Sequence, residues 1–434
     1  MAGRLALEAN LALDGTVKGT PSGMTGDFAN IARKGLSLLD GDLPLPVALL
    51  RESALIQNRT WMRAFLARTG AKIAPHGKTP MSPALAQMQM QDGAWGVTAA
   101  TAQQAAIFAA FGIRRIILAN RLVGRENIRV VIGLLEQHLD LDLWCLVDSA
   151  DGARILADAV RAHGKLARPL RVLIEIGAFG ARTGVRDGKG ALVLARDIEA
   201  LHPWLALSGV EAYEGVFGGH APDTRTALAR QMVEEVATFA HVAAGEGLFA
   251  DGTILMTAGG TEFFDLAAQV LSRGIAGREV IPVIRSGCYV THDHLSFAKM
   301  FERMVARDSS LAEIGTGLTP ALEVWAAVPS QPEPGLAFAT MGKRDVSYDI
   351  EMPLPVHWFR PERDRAPQPV PPGVSVTRLN DQHAFLHVPH PSPFELGDLI
   401  GFGVSHVCTT FDKWRSVLLV DDEYRVTGAI RTYF

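Results

Sequence analysis

The sequence predicts an α/β protein: a (β/α)8 TIM-type barrel followed by a second, mostly β C-terminal domain. Two observations carry this. From about residue 70 to 290, short apolar, β-branched-rich runs alternate with amphipathic stretches of helix length. Eight such repeats fit a closed barrel better than a doubly wound open sheet, which shows the same alternation. Beyond about residue 310, strand-like runs follow one another without intervening helices.

The predicted barrel strands are Lys72–Pro75, Trp95–Ala99, Arg115–Ala119, Leu141–Val147, Leu170–Ile176, Gly209–Tyr213, Thr253–Thr257 and Val280–Ile284. Most are bounded by Gly, Pro, Asp or Asn, as buried parallel strands are. Helices are expected at Ser82–Gln91, Ala102–Ala110, Glu126–His138 and Thr224–Gly245, with Ser82 as N-cap before Pro83. In the tail, strands are expected at Ala321–Val328, Gly335–Thr340, Gly373–Arg378, Phe385–Val388, Leu399–Val404, Ser416–Val420 and Arg425–Tyr433. The Pro-rich, charged stretch Phe359–Gly373 reads as a surface loop. Residues 45–300 are therefore assigned to the barrel, and residues 1–44 and 301–434 to a β-rich domain.

With 434 residues the chain can bury a large core. Lys plus Arg (42) against Asp plus Glu (46) leaves a net charge of -4, and no basic tract suggests nucleic acid or an anionic membrane as partner. Three scattered cysteines, Cys145, Cys288 and Cys408, make no disulfide framework and suit a reducing cytoplasm. The opening residues carry no signal-peptide core, and no apolar run reaches the ~18 residues needed to span a bilayer. The expectation is a soluble, cytoplasmic protein.

Barrel enzymes work at the C-terminal ends of their strands, with phosphate bound after strands seven and eight. That rule places Pro75-His76-Gly77-Lys78-Thr79 at the mouth after strand one. It places Ala258-Gly259-Gly260-Thr261 after strand seven and Arg285-Ser286-Gly287-Cys288-Tyr289 after strand eight. Small residues in such turns let backbone N–H groups approach a phosphate. Lys78 is flanked by an apolar strand end and a glycine, where loss of water would favour Schiff-base chemistry. His76 reads as a hydrogen-bonded support of the loop. In the tail, His406 and Cys408 lie two apart in an expected strand, where both would face one side. That pair suits a divalent metal such as Zn2+ and equally suits core packing. Asp398 reads as a turn residue, and His383, His387 and His390 as a strand running into a loop.

Taken together, these positions resemble the fold-type III pyridoxal-phosphate enzymes, in particular the D-serine dehydratase and D-threonine aldolase group with its alanine-racemase-like barrel. The resemblance rests on the PHGKT loop, Glu175 with Arg182-Thr183-Gly184, and Glu211-Ala212-Tyr213-Glu214-Gly215. It rests further on Gly259-Gly260-Thr261, Ser286-Gly287-Cys288-Tyr289 with Asp293, and the late His-x-Cys. The residues after the lysine, Thr79-Pro80-Met81, depart from the Thr-His-Lys run of many relatives.

The resemblance implies that Lys78 carries pyridoxal 5'-phosphate, with Arg182 near the ring and Tyr213 beside it. Gly260, Thr261, Gly287 and Cys288 would hold the phosphate, largely through backbone N–H groups, and Tyr289 would add a hydroxyl; His76 and Ser286 are counted with the cofactor-binding residues. His406 and Cys408 would bind a divalent metal, Zn2+ in preference to Mn2+, and the site would be completed in a homodimer. The expected reaction is dehydration and deamination of a D-3-hydroxy amino acid to a 2-oxo acid and ammonia, because Cys rather than Asp follows the histidine. Retro-aldol cleavage to glycine and an aldehyde is the alternative. A non-catalytic pyridoxal-phosphate carrier fits less well, since it would not need the β domain. A racemase fits less well too, for want of a second base.

Overall fold

The computed structural model describes residues 12–164 and 166–434. The assignment of residues 1–44 to the β-rich domain therefore lies, for its first eleven positions, outside the described residues. Two compact units divide the chain: Arg63–Lys78 with Gln89–Gly287, and Met1–Met62 with Thr79–Met88 and Cys288–Phe434.

The first unit contains eight parallel strands, each expected from the sequence to within a few residues: Lys72–Ile73, Val97–Ala99, Arg115–Arg121, Asp142–Val147, Leu170–Ile176, Leu205–Ala212, Ile254–Ala258 and Val280–Ile284. Strand eight pairs with strand one, through Val283–Lys72 and Ile284–Ile73. The remaining gap, between strands one and two, is bridged by the chain just past strand one. Trp95 N–H donates to Ile73 O at 2.8 Å, Thr98 N–H to Pro75 O at 2.9 Å, and Gly77 N–H to Thr98 O at 2.8 Å. Ala74, Ile117, Trp144, Leu146, Leu173, Leu255 and Val283 pack as one apolar cluster. The barrel is nearly closed, as the count of eight repeats required.

The helices follow from ordinary end signals. Thr101 accepts from Gln104 N–H at the start of Ala102–Ala110, and Ser149 and Asp187 do the same for Gly152 and Gly190. Helix Pro83–Gln91 begins after Ser82 as expected, but the Ser82 hydroxyl is buried without a hydrogen-bond partner, so it does not cap.

The second unit is mostly β. A seven-stranded sheet has Val47–Arg51 near its middle, antiparallel to Leu322–Ala327 and parallel to Ser416–Val420. Val47, Leu49, Trp325, Leu418 and Val420 are all buried in its core. The expected boundary at residue 45 therefore shifts: the apolar run at 47–51 is a strand of this sheet rather than part of the barrel. A four-stranded sheet holds Ser330–Glu333, Leu336–Ala339, Ser375–Leu379 and Ala384–His387. Two tail strands, one in each of these sheets, escape a sequence reading. Leu354–Phe359 carries Pro355 at a register shift, and Ser330–Glu333 is a polar edge strand with Pro332; both are places where a strand tolerates proline. Of the expected loop Phe359–Gly373, Phe359 instead ends the strand Leu354–Phe359 and Gln368–Pro369 pairs with that strand; the rest is loop.

Candidate active site

At the barrel mouth, the segment carrying His76 and Lys78 is gripped from both sides. His76 N–H donates to Arg285 O at 3.1 Å on the strand-eight side, and Gly77 N–H reaches Thr98 on the strand-two side. A Cβ on Gly77 would collide with the Phe108 ring, and one on Gly287 with the backbone of His76. These glycines are required because other groups already occupy the space a side chain would need. The loops after strands one and eight thus lie backbone against backbone, and Lys78 leaves that junction at a fixed point.

Lys78 itself is exposed, contrary to the desolvated setting expected for it. The water-poor neighbour is His76, whose ring is held well below its ordinary pKa by burial and then by the positive charges of Lys78, Arg285 and Arg182. It stays neutral, and its Nδ1 lies 3.5 Å from the Lys78 N–H. That fits the expected supporting role.

Charges buried in the mouth are braced in pairs. Glu211 meets Arg285 at 2.8 Å, and Arg285 also donates to Thr257 Oγ1 at 3.1 Å and to Ala212 O at 2.9 Å. Glu175 pairs with Arg121 and accepts from Thr183 Oγ1 at 3.0 Å; Arg121 also reaches Asp148 at 3.2 Å. The Arg182 guanidinium lies over the Tyr213 ring, 4.5 Å from its centre. In this way the motifs around Glu175, Arg182 and Tyr213 form one polar floor, although they are far apart in sequence.

The turn after strand seven departs from expectation. Glu214, fully buried, accepts from Gly259 N–H at 3.1 Å and from Gly260 N–H at 2.6 Å. Burial raises its pKa, opposed by these backbone donors and the Arg285 charge. The Gly260 N–H, expected to hold a phosphate, is thus engaged within the protein; Thr261 is half-buried beside it. The turn after strand eight differs. Ser286 Oγ is buried without a hydrogen-bond partner, next to the side-chain-free Gly287. A buried, unpaired hydroxyl is unfavourable by itself and suits an anionic acceptor. The bulk of the phosphate-binding expectation therefore moves to Ser286 and Gly287.

In the β unit, His406 and Cys408 are not on a strand. The strand Leu399–Gly403 ends two residues before Ser405, and Cys408 opens the short helix Cys408–Phe411. Convergence through the period of a strand does not apply; a strand-to-helix turn presents the two side chains. Ser405 fixes this turn by accepting from Glu351 N–H at 3.2 Å and donating to Glu351 O at 2.8 Å. His406 Nδ1 meets Asp349 Oδ2 at 2.6 Å, and Thr409 Oγ1 donates to Asp349 Oδ1 at 2.8 Å. Burial would raise the Asp349 pKa, but these two hydrogen bonds prevail and hold it below its ordinary value. A carboxylate on Nδ1 leaves Nε2 as the free donor atom, the usual second-layer arrangement of a metal-binding histidine. Nothing in the sequence marks Asp349, 57 positions upstream of His406. Among the described residues no group of three or more His, Cys, Asp or Glu side chains forms a ready metal cluster. Asp398 is a turn anchor, accepting from Arg360 at 3.0 and 2.9 Å. Of the tail histidines, His387 ends the strand Ala384–His387, and they form no cluster.

Residues 50–256 match the family model described as the alanine racemase N-terminal domain, and residues 321–420 match that of a putative serine dehydratase domain. The chain is 25% identical over 363 residues to a D-threonine aldolase of an Arthrobacter species, covering 83% of this chain and 85% of that protein. It is 30% identical over 210 residues to the D-threo-3-hydroxyaspartate dehydratase of Delftia sp. strain HT23, covering 48% of this chain and 53% of that one. Among solved structures it resembles D-threonine aldolase from Filomicrobium marinum, with TM-score 0.73, 25% identity and coverage of 92% and 97%. The Delftia dehydratase superposes with TM-score 0.69 at 22% identity over 92% and 99%, a likeness of fold. No helix among the described residues is long and apolar enough to cross a membrane.

Proposed function

Since the chain belongs to the fold-type III pyridoxal-phosphate enzymes, we propose that it is a pyridoxal-phosphate- and metal-dependent lyase that dehydrates a D-3-hydroxy amino acid. The products are a 2-oxo acid and ammonia. The single observation that carries the choice of elimination is that a cysteine, Cys408, stands two residues after the Asp349-oriented His406, within the segment that matches the serine dehydratase model. Relatives named for two outcomes, an aldolase and a dehydratase, share the architecture. The wider coverage of the aldolase match keeps retro-aldol cleavage as the second reading.

The residues fit the cofactor. Lys78 supplies the amine, Ser286 Oγ and the Gly287 backbone suit the phosphate, and the Arg182–Tyr213 stack suits a flat aromatic ring. When bound, pyridoxal phosphate supplies an electron sink for the bonds at the substrate Cα. Lys78 Nζ then takes the proton from Cα, held in place by the doubly braced loop behind it. His76, kept neutral, supports that loop without competing for the proton. His406 Nε2 and Cys408 Sγ suit a soft-to-borderline divalent ion, zinc ahead of manganese, which would make the β-hydroxyl a better leaving group.

Incubation with D-serine, D-threonine and D-threo-3-hydroxyaspartate decides between the outcomes. A 2-oxo acid with equimolar ammonia is expected; glycine with an aldehyde would replace dehydration by aldol cleavage.

A further inference from the structure

Thr79, the residue after the lysine, is 1% exposed, and its hydroxyl lies against two sulfurs. Thr79 Oγ1 stands 3.3 Å from Cys408 Sγ and 3.4 Å from Cys288 Sγ, and the sulfurs are 3.9 Å apart. All three residues belong to the β-rich unit. They come from three separate turns: the one following Lys78, the one following strand eight, and the one carrying His406.

A hydroxyl and a thiol each carry one proton and accept through lone pairs. The trio can therefore close on itself, each group donating once and accepting once. The pattern changes when Cys408 serves as an anionic ligand, because its sulfur then has no proton to give. Its two neighbours turn their protons toward it, and the Thr79 O–H is the stronger donor of the two. Hydrogen bonds to a charged acceptor are the strong ones.

The backbone around Thr79 holds that hydroxyl in place. Met81, two residues on, is buried with φ of 40°, a conformation a bulky side chain adopts only where its surroundings impose it. Its carbonyl accepts from Tyr433 N–H at 2.9 Å, just past the strand Val426–Arg431, and the Ser82 carbonyl accepts from Ala86 N–H at 3.1 Å. A donor fixed in advance needs little further ordering to serve its partner.

We propose that Thr79 is a positioning residue for Cys408: its hydroxyl orients the Cys408 sulfur and damps its charge when that sulfur holds the divalent ion. This rests on the His406–Cys408 metal reading and adds an outer partner on the sulfur side, as Asp349 is on the imidazole side. Cys288 keeps its proton in this arrangement and is not a ligand.

Thr79→Val removes the hydroxyl and keeps the branched shape; Thr79→Ser keeps the hydroxyl and loses the methyl group. In chelator competition, Thr79→Val should hold zinc about 10–100-fold less tightly than wild type, the scale on which outer partners of metal ligands act. Thr79→Ser should hold it as wild type does. A hydrogen bond lowers the energy of the sulfur lone pairs. In the cobalt(II)-loaded holoenzyme, the sulfur-to-cobalt absorption band should therefore move to longer wavelength in Thr79→Val and return in Thr79→Ser. Thr79→Ala, a second variant without the hydroxyl, should match Thr79→Val in both readouts. Unchanged zinc affinity and band in the hydroxyl-free variants, with zinc lost in Cys408→Ser, would overturn the Thr79 assignment and leave the metal reading standing. An affinity in Thr79→Ser as low as in Thr79→Val would overturn it too, because packing would then account for the loss. Zinc held as tightly by Cys408→Ser as by wild type would overturn both.

Discussion

The barrel mouth and the His406 turn are built on opposite principles. At the mouth, Glu211, Glu175 and Glu214 are buried, each carboxylate is matched by an arginine or by backbone N–H groups, and the loops are wedged by glycines. The His406 turn leans on Asp349, whose side chain is 44% exposed, and on a few hydrogen bonds from Ser405 and Thr409. Removing one partner of a buried pair leaves an uncompensated charge and is strongly destabilising, whereas an exposed pair contributes little to stability. The mouth is therefore part of the fold, while the turn is an attachment to it. Damage to the mouth should appear as unfolding, and damage to the turn as lost binding.

The largest expected effect falls on the one mouth residue that is chemically active without being structural. Lys78→Ala should lower turnover by about 10⁴-fold, the upper end for a positioned base. It should also abolish the visible absorbance of lysine-bound cofactor, with urea unfolding close to wild type because Lys78 is exposed. A surviving absorbance band would remove Lys78 from the cofactor.

Next comes Arg285→Met, which strands the buried Glu211. A loss of about 3–5 kcal/mol in urea unfolding is expected; a loss below 1 kcal/mol would mean the mouth is not braced by this pair. Asp349→Ala should sharpen the contrast from the other side. Metal affinity in chelator competition should fall about 10–100-fold, with the unfolding midpoint nearly unmoved. Unfolding of that variant in step with its loss of metal would erase the distinction.

The last test concerns pH. Burial pushes the Asp293 carboxyl up to about 7, against backbone N–H donors from Leu295, Phe297 and Ala298. Its folded-state pKa lies above the unfolded value near ~3.9. Its contribution to stability is therefore complete below about pH 4 and is lost as pH rises toward 7. Stability should decline across that window by at most about 1.4 kcal/mol per pH unit from this group. Asp293→Asn, which keeps the accepting oxygen but cannot ionise, should flatten the decline; an unchanged slope would assign it elsewhere.

The same contrast decides what could be read from sequence. Barrel strands are largely buried on both faces, so the runs Leu170–Ile176 and Ile254–Ala258 announce themselves by composition and end where the chain needs them to end. The rule that chemistry gathers at strand C-termini then points to Lys78, Ser286 and Gly287. It cannot show that Glu214 takes the two N–H groups after strand seven, because that depends on a side chain 45 and 46 positions away folding back. The His406 turn has no such periodicity. Its apolar approach Leu399–Gly403 reads as a strand that continues, and only the tertiary hold of Glu351 and Asp349 shows where it stops. Polar and proline-bearing strands such as Leu354–Phe359 are hidden for a related reason: their pairing is set by neighbours, not by their own pattern.

Phe108 sits in the space that a side chain at position 77 would fill. It is fully buried on the helix Ala102–Ala110, thirty residues from the lysine and outside every motif of the site. For anyone reshaping this enzyme, that ring is an adjustable stop. Trimming it to leucine would open space beside Gly77 and shift the reach of Lys78 without substituting any residue of the site. Substrate range could then be tuned from a residue no screen of pocket-lining positions would include.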